Sequence, residues 1–389
     1  MPYRILTLNT ISPKGLSRLP PERYQVGAEL SEPDAILVRS ADMHAMQVPA
    51  RVRAIGRAGA GTNNIPVEQM SRRGIPVFNA PGANANAVKE LVLAGLLLAA
   101  RNIAQAWLFA RELPGDDEAI EAAVERGKKR FVGFELPGRT LGVVGLGAIG
   151  VEVANSALAL GMHVLGYDPQ ITVQRAWQLS SSVVQALSLE DLCARADAVS
   201  VHVPLNQATR HLINGARLAL MRPDTTLLNF ARAGIVDEAA VVAALDAARL
   251  HAYVCDFPSV ALKQHPRVVT LPHLGASTGE AEENCAVMVA EQLREFLEHG
   301  NIRNSVNYPE AVLPRVPNTT RLAIANSNVP NMVGQISTCL ASARLNIADL
   351  LNKSRGEYAY TLIDTDGQVS ADVLGQIRAI NGVLSAHIL

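Results

Sequence analysis

The stretch that decides the fold is Thr140–Asp168, TLGVVGLGAIGVEVANSALALGMHVLGYD. It opens on a short apolar run, passes through Gly145-Leu-Gly147-Ala-Ile-Gly150, continues as a helical pattern, and closes a second apolar run on Asp168. A lone GxGxxG is a weak signal. Strand, glycines, helix, strand and acid in this order make a βαβ unit in which each glycine has a physical task. Gly145 permits a tight turn, Gly147 lets the backbone approach a pyrophosphate, and Gly150 lets the helix pack on the strand. The unpaired N–H groups of the helix start, around Ala148 and Ile149, suit phosphate oxygens. Asp168 can accept from ribose hydroxyls and would repel a 2′-phosphate, so NAD is the expected cofactor rather than NADP.

Outward from this unit, short apolar runs alternate with helical stretches from the N-terminus to about Phe296, the pattern of parallel sheets wrapped by helices. RILTL, AILV, VRAIG and IPVF precede it; AVSVHV, TTLLNF, AYVC and RVVTL follow it. One helix is expected from about Ala87 to Phe109, apolar almost all round through Leu91–Ala100, as in an interface or a domain junction. Residues 112–139 are polar and bear Gly and Pro, and read as a connection. Ser277-Thr-Gly-Glu280 reads as a capping box with Ser277 as N-cap. The helix it opens puts Ala281, Cys285, Met288, Leu293 and Phe296 on one face and ends at Gly300. A linker with three prolines, residues 304–320, leads into a last unit of βαββαβ order, the ferredoxin-like pattern. The fold class expected is α/β: two doubly wound, Rossmann-like parallel-sheet domains and a C-terminal α+β ferredoxin-like domain. The boundaries expected are 1–97 with 278–312, 98–277, and 320–389, the helices near 90–109 and 278–299 serving as hinge.

Composition narrows the partners. The chain has 389 residues, 49% apolar and 18% charged, with 35 basic against 36 acidic side chains. That balance excludes a disordered polyelectrolyte and gives no footprint for nucleic acid. The longest apolar run, Leu91–Ala100, falls short of the ~18 residues of a membrane span. MPYRILTLNT lacks the apolar core of a secretory signal. The cysteines Cys193, Cys255, Cys285 and Cys339 show neither CxxC pairing nor ligand spacing, so no metal is expected and a reducing cytoplasm fits.

Ligands of open parallel sheets sit beyond the carboxyl ends of the strands. Arg232 follows TTLLNF, Asp256 follows AYVC and His273 follows RVVTLP. A guanidinium fork suits a carboxylate and polarises an adjacent carbonyl, and an imidazole can take a hydroxyl proton as hydride leaves. Asp256 reads equally as a turn cap. Arg39 and Arg57 stand past AILV and VRAIG, where they could meet an anionic group or simply be solvated. The run Lys128, Lys129, Arg130 reads as a solvated face.

These motifs resemble the D-2-hydroxyacid dehydrogenases, in particular the members that oxidise 3-phosphoglycerate. The resemblance rests on GRAGAGTNNI (56–65), GLGAIG (145–150), YDP (167–169), VHVPLNQATRHLIN (201–214), NFARAGIVDEAA (229–240) and PHLGAST (272–278). NVPNMVGQI and NKSRGEYAYTLID resemble an ACT regulatory domain. The resemblance implies NAD-dependent oxidation of 3-phosphoglycerate to 3-phosphohydroxypyruvate, the entry to serine biosynthesis. Arg232 would hold the substrate carboxylate and C2 oxygen, His273 would be acid or base, and Asp256 would contact the nicotinamide carboxamide. Val203, Phe230, Gly275 and Ala276 would join Gly145, Gly147, Ala148, Ile149, Gly150, Asp168, Asp256 and His273 around the cofactor. Arg39, Ser40, Arg57, Gly59 and Asn84 would join Arg232 around the substrate. An L-serine effector would sit between paired ACT-like domains near Asn326, Asn328 and Asn346. A homo-oligomer, dimer or tetramer, is expected.

One departure stands out. Relatives carry a glutamate five residues beyond the position of Asp256, bonded to the catalytic histidine; here that position is Ala261, and no acid occurs between Asp256 and His273. A carboxylate partner fixes the imidazole tautomer and stabilises the imidazolium. Its loss leaves three readings open: a slower enzyme, a partner recruited from elsewhere such as Asp256 or Glu282, or a cofactor and amino-acid sensor that has lost its chemistry. A sibling reading keeps the chemistry and takes another 2-oxo acid, such as 2-oxoglutarate.

Overall fold

The computed structural model describes residues 2–389. It divides into two compact units: the chain up to Asn84 together with Gly279–Leu389, and Ala85–Thr278. The first unit holds a five-stranded sheet built from β1 (Tyr3–Leu8), β2 (Tyr24–Gly27), β3 (Ala35–Val38), β4 (Ala54–Arg57) and β5 (Val77–Phe78). They lie in the order β2-β1-β3-β4-β5, all parallel. Strands buried on both faces read as continuous apolar runs, which is why AILV is recognisable in sequence and wholly buried in structure.

The second unit holds seven parallel strands: β6 (Thr140–Val144), β7 (His163–Tyr167), β8 (Val184–Gln185), β9 (Ala198–Val201), β10 (Thr226–Asn229), β11 (Ala252–Cys255) and β12 (Val268–Thr270). Their order, β12-β11-β10-β9-β6-β7-β8, reverses direction between β6 and β9. That reversal opens a crevice at the carboxyl ends, where ligands of such sheets bind.

The terminal domain belongs to the first unit. Its strands β13 (Thr320–Ser327), β14 (Ile347–Arg355), β15 (Tyr358–Thr365) and β16 (Val383–Ile388) form an antiparallel sheet in the order β14-β15-β13-β16. The period of two along a strand sends its residues to two different cores. Leu322, Ile324 and Ile363 face the helices Met332–Ser342 and Ala371–Ala379. Ala323, Ala325, Tyr360 and Leu362 instead join Phe78, Leu293 and Phe296 in the core of the first sheet. Arg321, fully buried, forks onto Asp364 through Nε and Nη2, both at 2.7 Å. Its remaining N–H groups reach the carbonyls of His299, Leu313 and Pro314, so all five donors are satisfied.

Four sequence expectations change. The long apolar helix breaks: Ala85–Ala100 and Ile103–Arg111 meet at 67°, because Asn102 adopts a left-handed φ of 50°. The first of these packs on β10, β11 and the helix Ala148–Ala159, so the division falls at 84/85 rather than 97/98. The supposed connection contains a helix, Asp117–Gly127, capped by the Asp116 carboxylate on Ala119 N–H. The long helix begins at Gly279, placing Thr278 rather than Ser277 before its first residue; Met288 stays only partly buried on its apolar face. Among the described residues no single helix is long and apolar enough to cross a membrane.

Candidate active site

The glycine loop leaves the carboxyl end of β6. Gly145 has φ 90°, and a Cβ there would stand 2.9 Å from the backbone of His202. At Gly150 a Cβ would run into the carbonyl oxygen of Gly145, which fixes the close approach of helix and strand. Gly147 faces open space and caps the helix Ala148–Ala159 with no side-chain hydrogen bond, so the first N–H groups, around Ala148 and Ile149, have no capping side chain. Open space above an uncapped helix start is what a pyrophosphate needs, so the chain's residues fit a dinucleotide. Asp168 closes β7 and is tied to the loop, its two oxygens accepting from Leu146 N–H and Gln170 N–H at 2.8 Å. Each oxygen keeps a second lone pair for a ribose hydroxyl.

Across the reversal lie the other strand-end residues. Arg232, exposed, follows β10; Nη1 donates to the Ala231 carbonyl at 2.7 Å, and Asn229 holds the Arg232 carbonyl. Asp256, 1% exposed, follows β11, and its oxygens accept from Leu274 and Gly275 N–H at 2.7 Å. Its own carbonyl accepts from His273 N–H at 3.1 Å. Asp256 therefore anchors the loop that carries His273 and has no direct bond to the imidazole. His273 itself takes φ 59°, an uncommon conformation for a non-glycine residue, and leaves its ring exposed. Within this unit, and among the described residues, no carboxylate lies within ion-pair reach of that ring. The imidazole rests edge-on against Phe257, centroids 5.3 Å apart at 80°.

The expected cofactor contacts divide. Val203 touches the Gly145 turn, Gly275 is buried on Asp256, and Ala276 is exposed. Phe230, 5% exposed, turns inward onto Gly95, so its ring belongs to the core.

In the first unit, Arg39 and Arg57 leave neighbouring strands, with Val38 beside Arg57 in register. Glu282 accepts a hydrogen bond from Arg39 Nη2. Burial pushes the Cys285 thiol up against the opposing pull of Arg57 and Arg39, which puts both guanidinium groups near that helix face. Ser40 N–H binds Asn9, the Gly59 backbone sits under the Arg57 guanidinium, and Asn84 is partly exposed at the unit's edge.

In the terminal domain Asn346 lies beside the β14 end that pairs with Thr365, whereas Asn326 and Asn328 lie at the other end of the sheet, about 24 Å away at ~3.4 Å per residue. Within one chain the three do not share a pocket. Asn328 holds the Gly356 carbonyl, Asn346 holds Asp366, and Asn326 keeps a buried Oδ1 with no partner.

Sequence reasoning passed over His202 and Phe257. His202 binds Ser200 through Nε2 at 2.8 Å while its Nδ1 is buried without a partner, and burial pushes its pKa down to about 4. An apolar residue directly after a strand-end acid was the available signal for Phe257.

Residues 97–275 match the family described as D-isomer specific 2-hydroxyacid dehydrogenase, NAD binding domain. The chain is 38% identical over 293 residues to a D-3-phosphoglycerate dehydrogenase of Methanocaldococcus jannaschii, covering 72% of this chain and 53% of that one. It is 32% identical over 358 residues to the D-3-phosphoglycerate dehydrogenase of Haemophilus influenzae, covering 88% and 83%. Of the first of these relatives the chain thus spans about half the length. The apo D-mandelate dehydrogenase of Rhodotorula graminis shares the fold, with a TM-score of 0.68 at 24% identity over 81% of this chain and 100% of that one.

Proposed function

Because the chain belongs to the D-isomer specific 2-hydroxyacid dehydrogenase family, we propose that it oxidises 3-phosphoglycerate at C2 to 3-phosphohydroxypyruvate with NAD. The carrying observation is that the glycine loop, Arg232 and the His273 loop issue from the carboxyl ends of β6, β10 and β12 in one sheet. Bound NAD supplies the hydride acceptor. Arg232 grips the substrate carboxylate and polarises the C2 oxygen. His273 takes the hydroxyl proton, its loop held by Asp256. Asp256 anchors that loop through one bond to each oxygen, and each oxygen keeps a second lone pair for the nicotinamide carboxamide. Arg39 and Arg57 receive the phosphate, with Glu282 as the carboxylate it must displace from Arg39. Asp168 favours NAD over NADP. The similarity to D-3-phosphoglycerate dehydrogenases supports the phosphorylated substrate.

Two further parts belong to this reading. Exposed Ile103, Trp107 and Leu108 on one short helix support self-association. The unpartnered Asn326 Oδ1 supports an amino-acid effector such as L-serine at the terminal domain; calorimetry without serine heat, with and without NADH, removes that part. A second reading, a sensor without turnover, is favoured by the imidazole's lack of a carboxylate within its unit.

An NADH-absorbance assay with 3-phosphohydroxypyruvate separates them. We expect turnover that His273→Ala lowers by 10²–10⁴-fold, the usual weight of a general acid or base, while NADH still binds. Cofactor binding without turnover on any 2-oxo acid would leave only the sensor.

A further inference from the structure

We propose that the cavity between the first sheet's domain and the terminal domain is a binding site for a small oxyanion of charge two or more, of the phosphate class. The cavity measures about 450 Å³ and is lined by Arg53, Arg73 and Gly74 on one side and Arg378, Ser385 and His387 on the other. Among the described residues no acidic side chain lines it. The inference does not depend on which substrate the enzyme takes.

Three guanidinium groups facing one space need counter-charge, and among the described residues no carboxylate pairs with any of them. Arg73 spends Nη1 and Nη2 on the carbonyls of Val48 and Pro49, each at 3.0 Å. Arg378 spends Nε and Nη2 on the Ala386 carbonyl at 3.0 and 2.7 Å. These are neutral anchors: they hold the forks in place and leave the positive charge uncompensated. Arg53 Nε is buried with no acceptor at all, a donor that costs free energy until something accepts from it. None of the three forms an ion pair among the described residues. Burial, then Arg53 and Arg378, push the His387 pKa down to about 3, which shows both cations bearing on the same place.

The Ser385 hydroxyl donates to the Gly74 carbonyl at 2.9 Å, so the two walls already touch. An oxyanion there would accept from both walls at once, relieve the repulsion between them, and tighten the docking of the terminal domain. Phosphate is favoured because its oxygens can take several charge-assisted bonds from different directions, whereas one carboxylate matches one fork.

The test uses the full chain and inorganic phosphate at constant ionic strength. Calorimetry should show saturable binding that Arg53→Gln/Arg378→Gln weakens at least about tenfold, the worth of one charge-assisted bond. Arg39→Gln/Arg57→Gln should leave it in place. In the unaltered protein, phosphate should protect Arg378 from an arginine-selective dicarbonyl, read by peptide mass spectrometry. No heat above a chloride control, loss of binding in the Arg39/Arg57 variant alone, or unprotected Arg378 overturns the proposal. Succinate matching phosphate would overturn the phosphate preference. The protection measurement needs no variant, so misfolding cannot mask the outcome.

Discussion

His273 brings its backbone strain on the loop after β12 against an aromatic neighbour on the loop after β11, the same loop that lacks the acid. Phe257 can restrict the ring's orientation, but an aromatic edge cannot stabilise an imidazolium as a carboxylate does. Ala261→Glu is therefore expected to raise turnover and move the His273 limb of the pH–rate profile toward higher pH; an unchanged rate and profile would count against this account. His202 makes a separate prediction. Its folded pKa, about 4, lies below the ordinary 6.5, so the folded state binds fewer protons than the unfolded one. Stability should be whole above pH ~6.5 and fall by up to ~1.4 kcal/mol per pH unit toward pH 4. His202→Gln should flatten that slope in denaturation at several pH values; an identical slope would assign it to other groups, His387 among them. The strand-end trio was legible because a residue's place after a strand is local information. The Arg39–Glu282 pair was not, since 243 residues separate its members.

Elements were legible where periodicity is strong and misread where one residue decides. Nothing in the apolar composition of residues 85–109 announces a break, since asparagine enters the left-handed region only as its neighbours allow. The helix Asp117–Gly127 was hidden because an exposed polar helix has no apolar stripe to read; its only buried residue is Gly127. The helix Ala85–Ala100 makes a sharper claim. A Cβ at Gly95 would stand 2.8 Å from Phe230 Cζ and 3.2 Å from Val254 Cγ1. Alanine gains about 1 kcal/mol of helix propensity, against 1–3 kcal/mol for forcing a methyl into a packed core. Phe230 is 5% exposed and cannot swing into solvent, so overpacking should win. Gly95→Ala is expected to lower the melting temperature; a rise would mean the ring yields.

At the scale of the whole molecule, the terminal domain is an integral part of the first unit rather than a bead on a linker. The βαββαβ order was visible in sequence, but the sharing of a core was not, because alternation along β13 and β15 shows two apolar faces without saying what covers the second. In the structure Tyr360 donates to the Gly300 carbonyl at 2.8 Å, and its ring lies among Phe296 and Tyr308. Arg321 is the latch: its carboxylate partner comes from β15, and its carbonyl partners come from the long helix's end and the proline linker. Replacing it with methionine preserves bulk but leaves the Asp364 charge buried among three carbonyls that have lost their donor. Breaking one side of a buried pair typically costs 3–5 kcal/mol. Arg321→Lys should recover little, since three ammonium donors on one nitrogen cannot meet acceptors spread over Asp364, His299, Leu313 and Pro314. Because the two sheets share one core, the loss should lower the denaturation midpoint of the whole first unit together. Chemical denaturation followed by probes in each sheet checks this. A terminal domain that melts alone while the five-stranded sheet keeps its midpoint would show that the two cores are separable.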